Sequence, residues 1–224
     1  VPLRWPPILA KLPSAKDGRA GMSPQELRDT LQQGFARLAG PLAATLARYG
    51  LTPNHVTVTA LALSAVSAVL VLQDRLLAAG VVWLLAGVLD LLDGLLARSQ
   101  GQATAFGAFF DSTCDRIGEG LLFAAVVYRF AEQGQPVDAA VATIALLASL
   151  LVSYARARVE GLGGRCKVGL MTRAERVVLL GVGLILGWLE IVVYALAIAS
   201  ALTTVQRIRE ARRVLAAPEN LGDG

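Results

Sequence analysis

Between Val56 and Val205 the chain is a nearly unbroken series of apolar stretches, and no other feature constrains its folding as strongly. Six spans can be marked off: Val56 to Leu72, Leu76 to Leu96, Gly107 to Phe130, Ala139 to Ala155, Val177 to Leu189 and Ile191 to Val205. About 20 residues cross a hydrocarbon core, so the last two reach that length only with their polar ends included. Little more than Glu190 separates them, and one tilted span of 29 residues is the alternative reading. Composition agrees with a membrane protein. Hydrophobic residues make up 55% of the chain and charged residues 17%, against about 45–50% and about 25% in soluble domains. A soluble globule could not cover its surface with so few charges, and disorder needs the opposite balance. Two cysteines and one histidine exclude a disulfide scaffold and a structural zinc site.

The distribution of charge sets the topology. With six spans, both termini share a side with the loops after spans two and four. From residue 22 onward that side carries fourteen Lys and Arg residues, and the other side carries only Arg75 and Arg129. This positive-inside bias predicts a multi-pass protein of the cell membrane with both termini in the cytoplasm. A five-span count would weaken the bias. The net charge of +4 therefore reflects topology, and no basic face of a soluble module suggests nucleic acid as a partner. Residues 1–21 are proline-rich and basic, and read as an upstream extension or cloning remnant without assigned function. Over 22–54, Leu27, Leu31, Phe35, Leu38, Leu42, Leu46 and Tyr49 fall on one helical face opposite Arg28, Asp29, Arg37 and Arg48. That pattern predicts an amphipathic helix on the membrane surface, bent at Gly40-Pro41. The six-helix membrane domain is expected over 55–213, with a tail over 214–224. The expected fold is thus an all-α integral membrane protein of six transmembrane helices plus the N-terminal surface helix.

Four carboxylates interrupt spans two and three. Asp90 and Asp93 are three residues apart, Asp111 and Asp115 four apart, so each pair shares a helical face. An aspartate at the membrane centre costs roughly 2.5–3.5 kcal/mol, and less near an interface. Two antiparallel helices joined by the short loop after Arg98 could aim all four at one point. Hard oxygen ligands without thiolate or imidazole favour Mg2+ or Mn2+. Such ions commonly bridge to phosphate, and a pair of them suits a phosphoryl-type displacement. The plainer alternative is an interhelical ion-pair network in which Arg98 and Arg116 neutralise the aspartates.

The run Asp90-Leu-Leu-Asp93-Gly94-Leu-Leu-Ala97-Arg98, followed by Gly107, Asp111 and Asp115, resembles the CDP-alcohol phosphotransferase signature DxxDGxxAR…GxxxDxxxD at every fixed position. The resemblance implies an enzyme that displaces CMP from a CDP-activated lipid with an alcohol, using divalent metal. It assigns Asp90, Asp93 and Asp111 as metal ligands, and Asp115 as the base that deprotonates the acceptor, with a metal role as well. Gly94 and Gly107 would let the CDP-lipid approach the backbone closely. Ala97 would keep the groove narrow, and Arg98 would pair with the diphosphate. Asn54 and Thr104 match positions that border the nucleotide, although turn formation alone also explains Asn54. His55 and Cys114 receive no role.

The acceptor is read from a cationic stretch. Ser153, Arg156 and Arg158 precede Arg173 and Arg176, and clustered guanidinium groups suit a phosphate dianion. The stretch resembles the SYxKAR and RxER segments of the branch that makes phosphatidylinositol phosphate and archaetidylinositol phosphate. That resemblance implies 1L-myo-inositol 1-phosphate as acceptor, held by Arg156, Arg176 and Arg207, with Ser153, Arg158 and Arg173 in support. One departure is Arg156 where lysine is common. Topology alone would explain Arg165, Lys167, Arg209, Arg212 and Arg213. The resemblance also implies a homodimer. Glycerol 3-phosphate is the alternative acceptor, as in phosphatidylglycerophosphate synthases. Outside the family, an intramembrane prenyltransferase is disfavoured by the motif spacing, and a cation transporter has no need of Gly94, Ala97 and Arg98 in register.

Overall fold

The computed structural model describes residues 51–99, 103–166 and 168–216, together with Gly34, Gly40 and Thr45. Residues 1–21 and nearly all of the expected surface helix lie outside the described residues, as does the tail beyond 216. Among residues 51–216 that are described, six helices run in order: α1 (Pro53–Leu72), α2 (Leu76–Ser99), α3 (Ala105–Glu132), α4 (Pro136–Gly161), α5 (Arg173–Leu186) and α6 (Leu189–Leu215). Among the described residues the fold is entirely helical. This is the economical solution for apolar spans, because a helix satisfies its backbone groups internally.

Local chemistry sets the helix ends. Thr52 caps α1, with Pro53 at the first helical position. Its hydroxyl accepts from the His55 N–H at 3.4 Å, and its own N–H donates to His55 Nδ1 at 3.4 Å. The lone histidine thus closes a reciprocal cap. Thr104 caps α3 by accepting from the Gly107 N–H at 3.0 Å. Thr172 and Glu175 form the same kind of box at the start of α5.

The break between the last two helices falls at Gly187-Trp188 and not at Glu190, as the apolar pattern had suggested. Gly187 adopts φ +69°, a left-handed conformation that suits glycine, and the Trp188 N–H returns to the Gly183 carbonyl at 2.8 Å. Glu190 lies in the first turn of α6, where the helix dipole favours an acid.

The helices pair as three hairpins, α1–α2, α3–α4 and α5–α6, each closed by a turn of two or three residues. Arg129 Nε donates to Asp74 Oδ1 at 2.7 Å, tying the first turn to the second. Gln135 Nε2 donates to Glu190 Oε1 at 3.2 Å, tying the second to the third. The three tight turns therefore gather at one end of the bundle, and the longer connections, 100–104 and 162–172, belong to the opposite end.

Large apolar side chains face outward, with Ile191 67% and Val137 65% exposed. Thr57, Ser64, Ser67, Ser149, Ser200 and Thr203 are buried. An exterior more apolar than parts of the interior is the arrangement that lipid favours. Small residues then let the helices approach closely. A Cβ at Gly181 of α5 would lie 2.5 Å from Leu84 Cδ2 of α2, and one at Gly80 would lie 2.7 Å from the Gly181 carbonyl. Trp83 Nε1 donates across the same contact to the Val177 carbonyl at 3.0 Å. Four helices, α1, α2, α4 and α6, are long and apolar enough to span a membrane. α3 has the length but carries Asp111, Asp115, Arg116 and Glu119, and α5 has only 14 residues. The chain has the make-up of an integral membrane protein.

Candidate active site

The close packing of α2 on α5, and the short link from α2 to α3, bring four carboxylates to the end opposite the tight turns. One oxygen each from Asp90, Asp93 and Asp111 lies within 4.8 Å of the others. Asp93 is 4% exposed, and Thr57 Oγ1 donates to its Oδ2 at 2.7 Å; the Pro53 carbonyl, 3.1 Å away, is a second acceptor for the same hydroxyl. Asp111 Oδ1 is buried and has no hydrogen-bond partner among the described residues. Three converging carboxylates that include a buried oxygen without a donor fit a hard divalent cation.

Asp115 stands beside this trio. Arg173 Nη2 lies 2.6 Å from Asp115 Oδ1, and Arg173 Nη1 bonds to Asp90 Oδ2, so one guanidinium bridges the two motif halves. Arg116 Nη1 is 3.7 Å from Asp115 Oδ2 and bonds to the Ser112 carbonyl. Neutralisation therefore comes chiefly from Arg173, which the sequence pattern had grouped with the acceptor cations. Arg98 makes no ion pair with a described carboxylate; it reaches back along its own helix toward Gly94. A Cβ at Gly94 would meet only the Arg98 guanidinium, at 3.7 Å. At Gly107 a Cβ would lie 3.1 Å from Thr104 Oγ1 and 3.9 Å from Asn54 Oδ1, so these three residues meet at one place. Ala97 is half-buried on the same helix. A cleft leads from Asp90 and Asp115 into the bundle, walled by Thr57, Ala60, Ser64, Ala86 and Gly87 and reaching Trp83.

The acceptor candidates separate by environment. Arg176 is 2% exposed, and its Nε and Nη2 donate to the two oxygens of Glu119 at 2.8 and 3.0 Å. Arg207 is 3% exposed; its Nε donates to the Val168 carbonyl at 3.1 Å and its Nη1 to the Val152 carbonyl. Arg156 is exposed and pairs with Glu160 at 2.8 Å. Arg207 lies within Coulombic reach of Arg156 and Arg176, and of the Glu160 carboxylate, so cations of α4, α5 and α6 share one neighbourhood with that acid. Ser153 is half-buried, and Arg158, two residues past Arg156, is exposed on another face of α4. The connection between α4 and α5 is laid against α6, where Met171 N–H donates to Thr203 Oγ1 at 3.0 Å. That anchoring fixes where α5 begins, and hence where Arg173 points. Two residues emerge here that motif spacing left without a role, Thr57 and Glu119. Glu119 carried one signal, since it continues the four-residue step of Asp111 and Asp115.

Residues 50–206 match the family model for CDP-alcohol phosphatidyltransferase. The chain belongs to the CDP-alcohol phosphatidyltransferase family. It is 38% identical over 188 residues to the phosphatidylinositol phosphate synthase of Mycobacteroides abscessus, covering 80% of this chain and 85% of the relative. Among solved structures, the phosphatidylinositol phosphate synthase of Mycobacterium tuberculosis with CDP-DAG bound superposes with a TM-score of 0.75 at 31% identity, covering 84% of this chain and 98% of the other. The same protein in complex with manganese and citrate superposes with a TM-score of 0.71 at 31% identity, covering 82% and 92%. Membership makes the chain an enzyme of CDP-alcohol phosphotransfer.

Proposed function

We propose that the enzyme transfers the phosphatidyl group of CDP-diacylglycerol to 1L-myo-inositol 1-phosphate and releases CMP, as a step of phospholipid synthesis. The observation that carries this reading is the adjacency of two unlike sites at one end of the bundle: the Asp90, Asp93 and Asp111 cluster, and the Arg156, Arg176 and Arg207 group. The first suits a diphosphate with its metal, and the second a phosphate on the acceptor. Glu119 occupies only the Nε and Nη2 edge of Arg176, and the buried Nη1 is left with a donor that a phosphate oxygen could accept.

Asp90, Asp93 and Asp111 would hold Mg2+ or Mn2+, with Asp115 contributing to a second ion; the bound metal would offset charge on the diphosphate. Asp115 takes the proton of the acceptor hydroxyl. The hydroxyl oxygen bonds to the phosphatidyl phosphorus, and the bond from that phosphorus to the CMP oxygen breaks. Arg173 holds the Asp115 carboxylate in place from 2.6 Å. Arg98 pairs with the diphosphate. Gly94 leaves room for the nucleotide, and its open surroundings support this, since no packing among the described residues requires glycine there. Ala97, Gly107, Thr104 and Asn54 border the same groove. Arg156, Arg176 and Arg207 bind the acceptor phosphate, with Ser153 and Arg158 beside them; Arg173 links the two sites.

The enzyme crosses the membrane six times, with its termini and active site facing the cytoplasm. Collection of the three tight turns at one end supports an even number of crossings. α5 spans only about 21 Å at 1.5 Å per residue, so it crosses with help from its flanking residues. The enzyme works as a homodimer, as the family resemblance implies. The test is CMP release from CDP-diacylglycerol with each acceptor in turn. Product with inositol 1-phosphate is expected; product with glycerol 3-phosphate alone would sink the acceptor assignment.

A further inference from the structure

Glu119 is a buried acid within a membrane-embedded helix, 5% exposed, and its two oxygens are committed to one guanidinium. A buried pair of this kind is rarely the most stable filling for its volume, because two charges are desolvated to form it. Its geometry shows what the pairing achieves. Arginine has five N–H donors in a planar fork. Glu119 engages the Nε and Nη2 edge of Arg176, and Nη1 remains buried with no hydrogen-bond partner among the described residues. Arg207 is held differently, by two separate backbone carbonyls that accept from its Nε and Nη1. Both guanidinium groups are thus fixed by the protein, and Arg176 is fixed along its Nε and Nη2 edge.

The register of the pairs adds a second argument. Asp111, Asp115 and Glu119 step along one face of α3, and Arg173 and Arg176 step along one face of α5. Asp115 meets Arg173, and Glu119 meets Arg176, so α3 and α5 are joined by consecutive rungs. The outer rung contains the base of the proposed mechanism. The inner rung fixes the arginine assigned to the acceptor phosphate. We infer that Glu119 is a positioning residue for the acceptor: it locks Arg176 so that Nη1 is presented to the acceptor's phosphate at a set distance from Asp115. This rests on the acceptor reading above and names a residue that determines how that acceptor is held.

The test measures steady-state CMP release by the full chain in detergent, varying inositol 1-phosphate and CDP-diacylglycerol separately. Glu119→Gln keeps size but turns an amide N–H toward Arg176 Nη2, donor against donor. It is expected to raise KM for inositol 1-phosphate by about ten- to a hundredfold, by analogy with the range seen when a group that orients a metal ligand is lost. KM for CDP-diacylglycerol should stay within about twofold, and in an Arg176→Gln background the Glu119 change should alter acceptor KM by less than about twofold. A packing role alone would move both KM values together, or would add to the Arg176 effect, and either result overturns the inference. If Glu119→Gln does not fold, Glu119→Asp takes its place; it keeps the charge but withdraws the carboxylate, and the same split is required. Failure of the underlying reading has a separate signature: Arg176→Gln would itself leave acceptor KM unchanged. Arg176→Gln raising acceptor KM while the Glu119 variants leave it unchanged rejects the positioning role alone.

Discussion

Replacing Thr57 with valine removes one hydroxyl from the acidic site and keeps its shape. The Thr57 Oγ1 to Asp93 Oδ2 bond is 2.7 Å long and buried, and Asp93 is one of the three clustered carboxylates. A hydrogen bond to a charged group contributes about 1.5–3 kcal/mol, and orienting partners of metal ligands typically govern about ten- to a hundredfold in metal affinity. The change should therefore raise the Mn2+ or Mg2+ concentration for half-maximal CMP release by at least about tenfold. Activity at saturating metal should recover to within a few-fold, since no group that touches substrate is lost. Thr57→Ser restores the donor and should restore the metal response. The assay is CMP release titrated with each metal after chelation. A Thr57→Val enzyme whose metal response matches wild type, with activity lost at every metal concentration, would refute the argument that the hydroxyl acts through Asp93.

Asp115→Asn should lower CMP release by about a hundredfold or more, the scale of general-base contributions, without unfolding the bundle; CMP release at the wild-type rate would remove the mechanism and favour ion transport. Gly94→Ala should leave thermal stability in detergent nearly unchanged, because its Cβ would meet only Arg98 at 3.7 Å. The same variant should weaken CDP-diacylglycerol binding, measured as a rise in its KM, because the added methyl occupies the groove. Gly181→Ala should do the reverse in kind. Its Cβ would sit 2.5 Å from Leu84 Cδ2, and overpacking costs about 1–3 kcal/mol, seen as a lowered melting temperature.

The convergence of Asp90, Asp93 and Asp111 was readable from their spacing. Carboxylate spacings of three and four force each pair onto a common face, whatever the helices pack against. The residues that resisted reading are those whose partners lie far away in the chain. Arg173 is 83 residues from Asp90, and only the meeting of α2 with α5 reveals that it bridges to Asp115. Thr57 is 36 residues from Asp93 and looks like any threonine in an apolar span. Glu190 misled in the other direction: a lone acid between apolar runs suggested a break, while a glycine able to adopt φ +69° made the break three residues earlier.

The linear sequence, taken by itself, determined the apolar, helical make-up of the chain and the pairing of aspartates on common helix faces. Those properties follow from residue type and short-range periodicity, which lipid and helix geometry read directly. Tertiary structure alone decided which cation neutralises which acid. An arginine can serve a substrate or a neighbouring carboxylate equally well, and the choice depends on helix contacts set by glycines such as Gly181 and Gly80. It separated Arg173, placed among the aspartates, from Arg176, held by Glu119 one turn away, although both belong to a single four-residue segment.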